Sequence, residues 1–162
     1  MDVLIGLGGN VGDLRGAFAR VLSDMEGFGV VTAVSGLYQS RPVGPPQPDY
    51  LNAALVLDCG CGIWELLRAS QEVEVAAGRD RGTEQRWGPR PLDVDLLLVR
   101  SAVLKSPQLV LPHPRFHERA FALVPAADVA GEWVHPLLGE TVAQLAERVL
   151  SQDPDAVERV MR

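Results

Sequence analysis

Leu51-Asn52-Ala53-Ala54-Leu55-Val56-Leu57-Asp58-Cys59 is the stretch on which the fold turns. It reads as a strand returning from residues 41–49, where Pro42, Pro45, Pro46 and Pro48 make a stiff loop that cannot pair in a sheet. After it, Ile63, Leu66, Leu67, Ser70, Val73 and Ala77 form one helical stripe, with Gly78 as the stop. Before the proline loop, residues 30–39 carry the β-branched and aromatic content of another strand. Further out, residues 3–7 are a short apolar run that ends in a glycine-rich turn, Gly8-Gly9-Asn10-Val11-Gly12-Asp13. Leu14, Phe18, Val21, Leu22 and Met25 then recur at helical spacing, with Asp13 as N-cap and Gly27 as terminator. On the other side, a polar arginine loop spans 79–91 and a near-continuous apolar strand spans 94–99. Thr141-Val142-Ala143-Gln144 is a capping box that opens a last helix through Leu150. The order is β-α-β-β-α-β followed by a largely helical tail. It predicts an α+β, ferredoxin-like sandwich with an antiparallel sheet and additional C-terminal helices. No repeat or linker divides residues 1–162, so one domain is expected.

Composition narrows the class. The chain has 162 residues, 47% of them hydrophobic and 22% charged, which excludes intrinsic disorder. No stretch approaches the ~18 uninterrupted apolar residues of a membrane span. Met1-Asp2-Val3 opens on an acid rather than a basic region, so no signal peptide is expected and the chain reads as cytoplasmic. Cys59 and Cys61 are one residue apart, so a disulfide between them would be strained and reduced thiols are expected.

The net charge of −6 is unevenly spread. Residues 79–119 hold five acids and eight bases, whereas the segments on either side are net acidic. A basic island in an acidic protein argues against general nucleic-acid binding and for one local anion site. Fourteen of the 15 basic residues are Arg, whose planar fork of donors suits phosphate and carboxylate, although coding bias also explains the overall count.

Inside the island, Asp93-Val94-Asp95 begins the strand at 94–99. Alternate residues of a strand point to one side, so the two carboxylates stand ~6.6 Å apart at ~3.3 Å per residue, a spacing that can bracket metal ions. Alone, such a pair is better read as a solvated strand end. Beside it, however, Arg79, Arg81, Arg86 and Arg90 lie within twelve residues, around Trp87-Gly88-Pro89. Carboxylates plus arginines are what phosphoryl transfer requires, because metal and guanidinium neutralise the transferred charge. His113, Arg115 and Arg119 extend the basic island. The turn Gly6-Leu7-Gly8-Gly9-Asn10-Val11-Gly12 lacks the ending of a P-loop and the spacing of a dinucleotide site, so a tight strand-to-helix turn explains it better than a nucleotide does.

Taken together, these segments resemble the 6-hydroxymethyl-7,8-dihydropterin pyrophosphokinase family of folate biosynthesis. The likeness covers nearly the whole chain. It rests on Gly8-Gly9-Asn10, on Arg41-Pro42-Val43-Gly44-Pro45 with Pro48-Asp49-Tyr50-Leu51-Asn52, and above all on Arg86-Trp87-Gly88-Pro89-Arg90-Pro91-Leu92-Asp93-Val94-Asp95. Pro112-His113-Pro114-Arg115 and Glu118-Arg119-Ala120-Phe121 follow in the expected order.

The resemblance implies transfer of a whole diphosphate from ATP to the hydroxymethyl group of a dihydropterin, releasing AMP. It implies that Asp93 and Asp95 hold two Mg²⁺ ions and that Arg81, Arg90, His113 and Arg119 contact phosphates. Arg79, Arg86 and Trp87 belong to the same nucleotide-binding loop, and Gln71 and Glu74 to positions lining the site. Tyr50 and Phe121 would sandwich the flat pterin, while Asn52 and the backbone near Val43 and Gly44 read its polar edge and Asp93 adjoins it. The implied partners are these small molecules, with neither nucleic acid nor membrane, and the chain is expected to act as a monomer. Gly9 stands where the family usually has Ser, Pro91 where it has Thr, and residues 82–85 lengthen the arginine loop slightly.

Three other readings share some of these features. An RNA-binding module has the same element order but needs exposed aromatics on strands 3–7 and 51–59, which have none. A metal-dependent phosphohydrolase shares the carboxylates and arginines. A small-molecule regulatory domain leaves Asp93 and Asp95 idle.

Overall fold

The computed structural model describes residues 1–78 and 88–160. In chain order the elements are β1 (Asp2–Gly9), α1 (Leu14–Met25), β2 (Gly29–Val34), β3 (Leu37–Ser40), β4 (Tyr50–Cys59) and α2 (Ile63–Ala76). They continue with β5 (Asp93–Val99), β6 (Leu104–Lys105), β7 (Val110–Leu111), a 3-10 turn at Phe116–Glu118, α3 (Ala120–Ala130), α4 (Val142–Gln152) and β8 (Val157–Val160). The main sheet runs β5-β1-β4-β3-β8, with β2 also on β4, and every pairing is antiparallel. This is the expected α+β, ferredoxin-like arrangement.

Strand β4 is apolar from Ala53 to Leu57 because both faces of the sheet are covered there. On one face Val3, Ile5, Leu55, Leu57 and Leu96 pack under Phe18, Val21 and Met25 of α1 and Leu66 of α2. On the other, Leu4, Ala54, Val56 and Leu98 pack under Leu123 and Ala126 of α3 and Val142 and Leu145 of α4. Asp13 caps α1 by accepting from the Gly16 N–H at 3.0 Å. The capping box of α4 is formed in both directions between Thr141 and Gln144.

Two expectations need correction. The single strand expected over 30–39 is two strands, β2 and β3, broken at Ser35-Gly36. Buried Ser35 exchanges bonds with Ala54: its N–H donates to the Ala54 carbonyl at 2.9 Å and its Oγ accepts from the Ala54 N–H at 2.8 Å. Asp128 of α3 accepts the Gly36 N–H at 3.1 Å, so the chain bends there while both halves stay on β4. The tail, expected to be largely helical, also supplies β8, which pairs with β3 from Leu37↔Val160 to Ser40↔Val157 and covers that edge of the sheet. Four residues with no strong alternation give no periodic signal of their own.

Candidate active site

The glycines of β1 decide where a cavity opens. Gly8 pairs with Asn52 of β4 on one side and Asp93 of β5 on the other, and Gly6 pairs with Ala54 and Asp95. Alternation sends Val3, Ile5 and Leu7 into the core under α1 and α2, so Gly6 and Gly8 face the opposite way. A Cβ at Gly8 would stand 3.4 Å from Asn52 Oδ1, and one at Gly6 would stand 3.0 Å from Leu97 Cδ1. Bare backbone therefore forms the floor, with carboxylates along one side and Asn52 on the other. Over this floor lies a cavity of about 340 Å³, walled by Val43, Tyr50, Asn52, Asp93, Asp95, Arg90, Arg119 and Phe121 among others.

The cavity has two chemically different parts. Phe121 is 39% exposed although it opens α3, because its ring faces the cavity instead of the core. Asn52 is buried, and its Nδ2 donates to the Tyr38 carbonyl at 3.2 Å and to Ser40 Oγ at 2.8 Å, which fixes the amide over Gly8. A planar ring and a placed amide suit a flat polar heterocycle.

The second part is charged. Asp93 and Asp95 share the cavity with Arg90, Arg115 and Arg119. Arg90 Nη1 lies 3.5 Å from Asp93 Oδ1, and the Arg119 guanidinium sits 5.6 Å from the Phe121 ring centroid. Burial, and then the neighbouring charge of Arg115, weaken the hold of Arg119 on its proton, while Asp95, Glu118 and Asp93 oppose them. His113 is held below the usual histidine range by burial and by Arg119 and Arg115. A guanidinium whose proton is loosened by burial and by a neighbouring cation is a group that a bound anion would relieve.

Three side chains hold this geometry. The Asn10 side chain donates to Gln47 Oε1 and to the Pro48 carbonyl, both at 2.9 Å, and so ties the proline loop to the end of β1. Tyr50 Oη donates to the Gly88 carbonyl at 3.1 Å. Glu74, 2% exposed near the end of α2, accepts the Val94 N–H at 2.9 Å, which fixes the strand between the two aspartates.

Of the residues expected at the site, Val43, Tyr50, Asn52, Arg90, Asp93, Asp95, Arg119 and Phe121 line the one cavity. Gly44, with φ +107°, lies next to Val43 but not in the wall. Gln71 is exposed and Glu74 is turned into the protein, so neither lines the cavity. His113 is not among the wall residues, and its Nδ1 accepts from the Arg115 N–H at 3.2 Å. Arg79, Arg81, Arg86 and Trp87 lie outside the described residues.

The sequence reading missed Gly6 and Gly8 as a floor, since it took the glycines from Gly8 onward for a turn, whereas β1 runs to Gly9. Their spacing of two, on a strand, was the available signal. It also missed Ser40, Arg41 and Arg115 as wall residues. At Gly9, a Cβ would come within 2.7 Å of the Pro91 carbonyl oxygen, so glycine is required there.

Comparison with known proteins bears on this arrangement. The family described as 7,8-dihydro-6-hydroxymethylpterin-pyrophosphokinase matches residues 4–131. A 2-amino-4-hydroxy-6-hydroxymethyldihydropteridine pyrophosphokinase of Synechocystis is 41% identical over 150 residues, covering 90% of this chain and 75% of that protein. One of the same name from Methylorubrum extorquens is 38% identical over 159 residues, 96% of each chain. Among solved structures, wild-type HPPK-DHPS of Plasmodium falciparum superposes with a TM-score of 0.72 over 99% of this chain, at 11% identity. The present chain spans about half, 48%, of that one.

Proposed function

The chain belongs to the 7,8-dihydro-6-hydroxymethylpterin-pyrophosphokinase family, and on that premise we propose that it transfers a diphosphate group from ATP to the hydroxymethyl group of 6-hydroxymethyl-7,8-dihydropterin. The products are AMP and the pterin diphosphate, a step of folate biosynthesis. The observation that carries this reading is one cavity whose floor row, Asn52–Gly8–Asp93, joins a ring-binding part to a charged part. A hydroxymethyl group on a flat ring held by Phe121, Tyr50 and Asn52 points along that row towards the aspartates and arginines.

Asp93 and Asp95 fit Mg²⁺. They are hard oxygen donors facing one cavity, and among the described residues no cluster of three or more ligating side chains surrounds them. Mg²⁺ is commonly held by one or two carboxylates with its other positions filled by water and substrate phosphates. Two bound ions would supply charge neutralisation on the triphosphate. The chain's own residues do the rest. Arg90 and Arg119, with Arg81 from the arginine loop, neutralise the charge that grows on the transferred group and on AMP as it leaves. Phe121 and Tyr50 hold the ring so that its hydroxyl meets the β-phosphorus in line, which removes the entropy of encounter from the barrier. Glu74 and Asn10 act by position: one sets the strand of the aspartates, the other joins the walls. Arg79, Arg86, Trp87, Gln71 and His113 belong, on this reading, to the nucleotide side.

Residues 1–162 would act as a single domain and a monomer. A cytoplasmic location agrees with the described helices, none of which is long and apolar enough to cross a membrane. Mass analysis after incubation with ATP, Mg²⁺ and the hydroxymethyl-dihydropterin tests the proposal. AMP together with a pterin heavier by a diphosphate supports it. ADP, or free phosphate formed without pterin, identifies a simple kinase or phosphohydrolase instead.

A further inference from the structure

Strand β4 ends on a thiol at the far end from the cavity. Cys59 is 5% exposed, while Cys61, on the turn into α2, is partly exposed. Their Sγ atoms are 3.0 Å apart, inside ordinary van der Waals contact, and the Cys59 thiol also lies 3.5 Å from the Cys61 carbonyl oxygen. They are the only two cysteines of the chain.

Cys59 is pinned. It pairs with Gly29 of β2, and its N–H donates to the Met1 carbonyl at 2.8 Å. Cys61 is not pinned in the same way, because it lies between Gly60 and Gly62. A Cβ at Gly62 would meet nothing within 4 Å, and one at Gly60 only the Phe28 carbonyl at 3.8 Å. One sulfur is therefore fixed by the sheet, while the other sits at the rim of the core, on a turn whose flanking glycines leave side-chain room on either side.

We propose that Cys59 and Cys61 are a reversible dithiol–disulfide pair, a modification site for small-molecule disulfides that is independent of diphosphate transfer. In the first step the Cys61 thiolate attacks one sulfur of R–S–S–R, forming a mixed disulfide and expelling RS⁻. Cys59 then loses its proton to solvent and attacks Cys61 Sγ. The mixed disulfide breaks, the second RS⁻ leaves, and the Cys59–Cys61 bond forms. The protein loses two hydrogen atoms and two electrons, and the oxidant gains them as two thiols. Closure across a single residue strains the ring, and strained disulfides are easily reduced. Partial burial and the hydrogen bond with Cys59 push the Cys61 thiol up to about 11, so little of it is thiolate near neutral pH and the first step is slow, which excess disulfide offsets only in proportion to its concentration.

The test is intact-mass analysis and thiol titration of the whole chain after incubation with excess oxidised glutathione. Both thiols should disappear together, the monomer should be lighter by two hydrogen atoms, and reduced glutathione should restore it. Cys59→Ser, which removes the resolving thiol, should instead accumulate one glutathione adduct. The proposal is overturned if the native chain retains a stable adduct, forms disulfide-linked dimers or keeps both thiols. It is overturned equally if Cys59→Ser accumulates no adduct. Diphosphate transfer enters neither readout, so failure here leaves the proposed activity untouched, and the reverse holds too.

Discussion

Asn10 and Arg90 grip each other from opposite sides of a chain crossing: Asn10 Oδ1 accepts the Arg90 N–H, and the Asn10 N–H donates to the Arg90 carbonyl, both at 2.9 Å. The Asn10 Nδ2 meanwhile holds Gln47 and Pro48. One small, buried amide thus joins the end of β1, the proline loop and the approach to β5. Asn10→Asp keeps the size but turns an acceptor towards Gln47 Oε1 and the Pro48 carbonyl. The expected loss is about 1–3 kcal/mol, the usual cost of unpaired buried polar groups. The pterin KM should also rise, because Val43 and Tyr50 flank the released loop. Denaturant unfolding and steady-state kinetics check this, and an Asp variant with wild-type stability and KM would remove Asn10 from the account.

The Glu74 bond to the Val94 N–H acts on catalysis through the strand. Glu74→Ala leaves that N–H without its acceptor, at a cost of about 1–3 kcal/mol, and frees the strand between Asp93 and Asp95. Turnover should fall more than either KM. Glu74→Gln keeps an acceptor oxygen of the same reach and should recover most of both losses. A Gln variant as impaired as the Ala variant would show that the carboxylate charge, rather than the position it holds, is what matters.

Much of this was legible from the chain alone, for reasons that differ by element. The strand at β4 was clear because burial on both faces makes it a continuous apolar run, and the stripe at Ile63–Ala76 because burial on one face imposes the helical period over many residues. The aspartate pair was visible because charge beginning a buried strand is unusual. The bend at Ser35-Gly36 was not, since it depends on Asp128, 92 residues away in sequence from Gly36. Strand β8 was hidden because its pairing partner, not its composition, makes it a strand. Arg115 belongs to the cavity through the fold of the 3-10 turn, and in sequence it was simply one more base of the island.

Asp93 and Asp95 make a sharper prediction about chemistry than about folding. Each is about as long as Asn, so Asp93→Asn and Asp95→Asn should fold and still bind pterin beside Phe121. Turnover should drop by roughly 100-fold or more, the scale on which a lost charge-stabilising group is felt. Equilibrium pterin binding and single-turnover rates separate the two effects. Near-normal turnover in either variant would sink the metal assignment, whereas lost pterin binding would move that residue to the substrate.

Acid should weaken the protein through its histidines. Buried His135 accepts the N–H groups of Leu137 and Leu138 on Nδ1, at 3.3 and 3.2 Å, and can do so only when that nitrogen carries no proton. Burial, and then His117, whose ring centroid is 6.0 Å away, hold His135 below the usual histidine range. His113 is lowered in the same direction by burial, Arg119 and Arg115. A lowered folded value means that the unfolded chain takes up the proton first. Stability is therefore complete above the unfolded value of ~6.5 and falls as pH drops through it, levelling off below the folded value. The midpoint of denaturant unfolding should accordingly decrease between about pH 7.5 and about pH 5.5, before carboxylates contribute. His135→Asn offers a non-titrating oxygen to the same two N–H groups and should flatten part of that slope. A slope as steep as that of the native chain would assign the acid sensitivity to His113 instead, which a His113→Asn variant measured over the same range would show.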